Sequence, residues 1–134
     1  MKAQISLEVM LLFAMFALII VAALVSAFEL KREMDYKAQS ATIFNNLAKL
    51  FKKVNSLMLN CPAQDKVEMR FLSTVTLEIN PIEGKSGSFV VVRSREIGDV
   101  ALYTPHSLTE YTVNGSNIIL NISCETAGGV IQVG

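Results

Sequence analysis

The chain has 134 residues, formal net charge zero, one histidine and two cysteines, and 51% of its residues are hydrophobic. That length allows one small domain beyond any membrane segment. Net charge is −1 over residues 1–30, +3 over 31–65 and −2 over 66–134, so no segment carries the basic footprint of a nucleic-acid binder.

The first element is an apolar run. Val9 to Phe28 is twenty residues long with one polar member, Ser26, and contains neither Gly nor Pro. As a helix it spans about 30 Å, the thickness of a bilayer's hydrocarbon core. Gln4, Ser6 and Glu8 precede it, and Glu8 stands at its entrance. A carboxylate there has two readings. It lies in the water interface, where its cost is small, or it waits for a cation such as a free α-amine on a neighbouring helix. A carboxylate near a helix N-terminus is also favoured by the macrodipole.

The stretch Lys2-Ala3-Gln4-Ile5-Ser6-Leu7-Glu8, followed at once by the apolar run, resembles the class III signal peptide of archaeal type IV pilins. That signal reads Q-x-S-x-E, matched by Gln4, Ser6 and Glu8. The resemblance covers about the first 30 residues. It implies cleavage by a membrane prepilin peptidase between Ala3 and Gln4, so that residues 1–3 are a leader. The family commonly has Gly where this chain has Ala3, which is also small. The resemblance further implies that Glu8 neutralises the Gln4 amine of an adjacent subunit during assembly. Its implied partners are other pilin subunits, the peptidase, an assembly platform protein and, before assembly, the membrane.

Beyond the run the pattern becomes amphipathic. Leu30, Met34, Ala38, Ala41, Phe44, Ala48, Phe51, Val54 and Met58 recur at steps of three and four, and Leu47, Leu50 and Leu57 widen the stripe. This spacing predicts one continuous helix from Ile5 to Asn60. Asn60-Cys61-Pro62 ends it, because the residue before Pro avoids the α region. Residues 4–30 form the membrane or filament-core half, and 31–61 the amphipathic half.

From Lys66 the period changes to two, and residues 62–134 read as an antiparallel β domain of six or seven short strands. Val67, Met69 and Phe71 share one face, as do Val75, Leu77 and Ile79. Phe89 to Val92 and Val100 to Tyr103 form further strands. Leu108 to Val113 and Asn117 to Ser123 flank Asn114-Gly115, which predicts a hairpin turn there. A last short strand covers Val130 to Val133. With the helix, this is an α+β fold with one sheet face packed on the helix.

Three features point to an exported β domain. Cys61 and Cys124 allow one bridge, which fits an oxidising compartment; the other reading is two buried free thiols. The sequons Asn114-Gly115-Ser116 and Asn121-Ile122-Ser123 are glycosylation candidates. Ile118, Leu120, Ile122 and Cys124 share a face, which turns Asn121 to solvent if that face meets the helix. For Asn114 the alternative is simple turn chemistry. Together with Lys2 these features place the N-terminus inside the cell and the β domain outside.

No catalytic chemistry is readable. His106 is expected at the surface, and one His with two separated Cys makes no ordinary zinc site. Gly84-Lys85-Ser86 lacks the earlier glycine of a phosphate-binding loop. Glu78, Glu83, Glu96, Asp99, Glu110 and Glu125 read as solvated strand and turn residues. Tyr36, Tyr103 and Tyr111 read as packing or interface residues. The expectation is therefore a structural protein without cofactor or metal: an archaeal pilus subunit, major or minor, serving surface adhesion. The alternative is a membrane-anchored binding module, or a secreted one cut after Val25-Ser26-Ala27.

Overall fold

The computed structural model describes residues 2–134, apart from the side chains of Lys2, Ala3 and Ile5. Met1 and the Ala3 side chain of the expected cleavage site lie outside the described residues. One helix, α1 (Lys2–Leu59), is followed by β1 (Ala63–Pro81), β2 (Ser88–Ser94), β3 (Gly98–Thr104), β4 (Tyr111–Cys124) and β5 (Gln132–Val133). The chain divides into two units, Met1–Lys37 and Ala38–Gly134. The described residues of the first, from Lys2, are helix alone. Among the described residues α1 is the one helix long and apolar enough to cross a membrane.

The second unit is an α+β domain. Its sheet has the order β3-β2-β1-β4-β5, with every pairing antiparallel. The helix contributes Ile43, Leu47, Leu50, Val54 and Leu57, all buried, to a single core. Facing them are Val67, Met69, Phe71, Val75, Leu77 and Ile79 of β1, Val90 and Val92 of β2, and Ile118, Leu120 and Ile122 of β4. Burying the five helix side chains contributes on the order of 10 kcal/mol before entropy is counted. The helix ends as the sequence implies. The Asn60 side chain donates to Ser56 O at 2.9 Å, satisfying one of the last-turn carbonyls that no helical N–H reaches.

The covered face is not centred where the apolar spacing puts it. Ala38, Ala41 and Ala48 are exposed, and Phe44 is 47% exposed, while Gln39 and Ile43 are fully buried. Neighbouring residues on a helix lie about 100° apart, so two apolar rows run side by side. The sheet covers one of them. It takes the row of branched side chains, which removes more apolar area from water than a row of alanines does.

Two further expectations are corrected. The sheet has five strands rather than six or seven, because the two segments of β1 are one 19-residue strand and the two expected to flank Asn114-Gly115 are joined in the 14-residue β4. There is also no hairpin at Asn114-Gly115. Both residues lie inside β4, paired with Thr76 and Val75. Gly115 is not among the glycines with positive φ, which the tight hairpin turn requires. The register explains both errors. Arg70 pairs with Asn117 and Val75 with Gly115, so four residues of β1, Phe71–Thr74, oppose Ser116 alone. On β4 the alternation of burial slips at the same point, where Ser116 and Asn117 are both exposed.

A bulge of this kind bends a strand pair, and the ends of β4 show the bend. Thr109 N–H donates to Ile131 O at 2.9 Å, while Ile122 pairs with Val133. That path brings Tyr111 within about 25 Å of Ile122, against about 37 Å along a straight strand.

The bend leaves the first half of β1 without a strand on one side, since β2 pairs only with Thr76–Pro81. Helix side chains take that place. Asn46 Nδ2 donates to Arg70 O and Lys49 Nζ to Glu68 O, each at 2.7 Å, and Lys53 Nζ reaches Asp65 Oδ2 at 2.7 Å. Asp65 Oδ1 in turn accepts from the Lys66 N–H. Donors at spacings of three and four thus line an otherwise open sheet edge.

Candidate functional site

The sequence directs attention to the start of α1. Gln4 and Glu8 lie one turn apart and share a helix face, with Ser6 on the opposite side. All three are exposed, as is every described residue from Ser6 to Ala38. Phe13 reaches 72% exposure and Leu18 70%, far above the cover such side chains find in a folded core. Within Val9–Phe28 the one polar side chain is satisfied locally: Ser26 Oγ donates to Ala22 O at 3.0 Å. This stretch therefore presents no unmet side-chain hydrogen bond to an apolar medium. Among the described residues Glu8 forms no ion pair.

At the other end of the helix, Cys61 is bonded to Cys124 with Cα atoms 5.6 Å apart. Cys124 points inward and is 3% exposed. Asn121 and Asn114 are both exposed. Asn114 borders an open groove with Ser73, Thr74, Thr76 and Arg95.

His106 lies in the loop after β3, partly exposed, and its Nε2 is 2.7 Å from Asn55 Oδ1, tying that loop to the helix. Among the described residues no three His, Cys, Asp or Glu side chains gather as metal ligands. Gly84-Lys85-Ser86 lies in a turn, with Gly84 at φ 72°. Glu78 and Asp99 both pair with Arg93. These contacts raise the Arg93 pKa, through the hydrogen bond to Glu78 first and the nearby charges second. The Lys53 hydrogen bond and then the Lys66 N–H hold Asp65 below its ordinary value, and Arg70 does the same for Glu68.

The apolar spacing alone did not reveal Gln39. It is fully buried, its Nε2 donates to Ser73 Oγ in the bulge at 2.8 Å, and its Oε1 is buried without a partner. The signal for it was present: Gln39 stands four residues before Ile43 and eight before Leu47 on one helix face. No family model, curated protein or solved structure matches the chain.

Proposed function

We propose that the chain is the precursor of a pilus subunit of the archaeal type IV class. It is inserted with Lys2 inside the cell and the β domain outside, and is cut before Gln4. The observation that carries this reading is the junction of Gln4-x-Ser6-x-Glu8 with a twenty-residue apolar helix that its own chain leaves exposed. Such a surface needs lipid or other helices around it. In the membrane, lipid covers Val9–Phe28. In a filament, the same segments of neighbouring subunits cover one another, assembled by a platform protein. Cleavage at Gln4 frees an α-amine one turn before Glu8, and the carboxylate pairs with the amine of an adjacent copy. The β domains then form the adhesive outer surface, in an oxidising exterior that suits the Cys61–Cys124 bond.

The direct test is the N-terminus and intact mass of the protein taken from native cell surfaces. A start at Gln4 supports processing as a pilin. A start at Phe28 means a secreted domain, and a start at Met1 an anchored binding module; either result overturns the proposal. Substituting Glu8→Ala should leave cleavage intact and prevent incorporation into filaments, scored by electron microscopy of sheared surface material. Normal filaments from that variant would remove the role assigned to Glu8.

A further inference from the structure

The two sequons lie on one strand, yet the fold treats them differently. Asn121-Ile122-Ser123 is held from both sides. On β1 its partners are Lys66, Asp65 and Gln64. On the other side Ile122 and Ser123 pair with Val133 and Gln132. Asn121 itself donates to Gly134 O and accepts from Gly134 N at 2.9 Å. Its middle residue, Ile122, is a core side chain, 1% exposed.

Asn114-Gly115-Ser116 is held from one side. Asn114 and Gly115 pair with Thr76 and Val75, and Ser116 has no partner opposite the bulge. β5 does not reach this part of β4, since it pairs only with Ile122 and Ser123. The middle residue is a glycine, with no side chain to draw out of the core.

A transferase must enclose the Asn amide and the hydroxyl two residues on. In an extended strand both point outward on one face, but enclosing them requires the backbone to leave its neighbours. At Asn121 that breaks two ladders and withdraws Ile122 from the core. At Asn114 it breaks one ladder where the pairing is already interrupted. Local opening at such points is far more frequent than opening of the core.

We infer that Asn114 is the glycan acceptor offered by the folded domain, and that Asn121 accepts a glycan only before β5 closes over it. The inference rests on the exported orientation of the β domain proposed above. The donor is an oligosaccharide on a polyprenyl phosphate carrier. The bond from sugar C1 to phosphate oxygen breaks, and the carrier leaves with the electron pair. A bond forms from C1 to Nδ2 of Asn, and one amide proton passes to a base of the transferase.

The test uses the full chain, produced without glycosylation and purified in detergent with its disulfide intact. It is incubated with membranes that carry an oligosaccharyltransferase and its lipid-linked donor, and occupancy at each Asn is read by peptide mass spectrometry. Two synthetic peptides, one per sequon, report how well each is accepted without the fold. The expected result is comparable transfer to the two peptides. In the folded chain, transfer to Asn121 should be about tenfold to a hundredfold slower than to Asn114, from the cost of exposing Ile122. Equal transfer to both sites in the folded chain overturns the inference. So does refusal of Asn114 there, or a peptide for either sequon that is not accepted. The transferase is supplied in the assay, so the outcome does not depend on where the native N-terminus begins.

Discussion

Leu47 and Phe44 lie on neighbouring rows of one helix, and exchanging each for alanine separates the covered row from the uncovered one. Leu47 is fully buried between the helix and the sheet. Removing its branched end deletes about three carbons of buried surface and leaves a cavity, so Leu47→Ala should cost about 2–5 kcal/mol. Phe44 is the larger side chain, but it is 47% exposed. Truncating it loses partial cover without opening a cavity, and Phe44→Ala should cost less than about 1 kcal/mol. The assay is urea unfolding of the full chain in detergent, followed by near-ultraviolet circular dichroism. The chain has no tryptophan and three tyrosines, of which Tyr103 and Tyr111 lie in the β domain. At a slope of about 1–3 kcal/mol per molar urea, the Leu47 variant should shift the midpoint by roughly 1 M or more. Equal shifts for the two variants would refute the assignment of faces. If the chain assembles into filaments as proposed, the order should reverse there for a folded Phe44→Ala, since its row is left uncovered by the chain's own sheet.

The disulfide closes a separation of 63 residues, so Cys61→Ser with Cys124→Ser should lower stability by about 4 kcal/mol in the chain-entropy account, checked by the same unfolding assay. Asp65 and Glu68 are both held below their ordinary values. Their contribution is therefore present above about pH 4 and lost as pH falls through the lowered values; in acid titrations Asp65→Asn should reduce that pH dependence. Gln39→Leu removes a buried acceptor that has no partner and should be neutral or stabilising. Ser73→Ala also orphans the Gln39 amide and should cost about 1–3 kcal/mol by thermal unfolding.

The change from period 3.6 to period two near Cys61 was legible because each period reflects one covered face. The end of the helix was legible because Asn60 and Pro62 act locally. The inward row Ile118, Leu120, Ile122 and Cys124 followed from alternation, and with it the exposure of Asn121. What was not legible depends on partners distant in sequence. Asn114-Gly115 has the local chemistry of a hairpin, but Thr76 and Val75 hold it extended in β4. Phe71–Thr74 continues the alternation of β1 without a break, so nothing local marks it as a bulge. The choice between Ile43 and Phe44 as the core row also depends on which side the sheet approaches. At the candidate site, the exposure of the helix from Ser6 onward follows from its composition. The Gln39–Ser73 contact does not, because Ser73 is placed by the bulge.

The position of the disulfide has a mechanical consequence. Ala63, the first residue of β1, is the register partner of Cys124, the last residue of β4. A pull arriving through the end of the helix would, with the peptide chain alone, load only β1 and peel it from β4 one hydrogen-bonded pair at a time. The Cys61–Cys124 bond delivers the same pull to both strands at the same end. Tension then runs along the pair together and cannot unzip it from that end, so a load arriving through the helix would fall on the ladders that join the pair to β2 and β5 rather than on the one between β1 and β4.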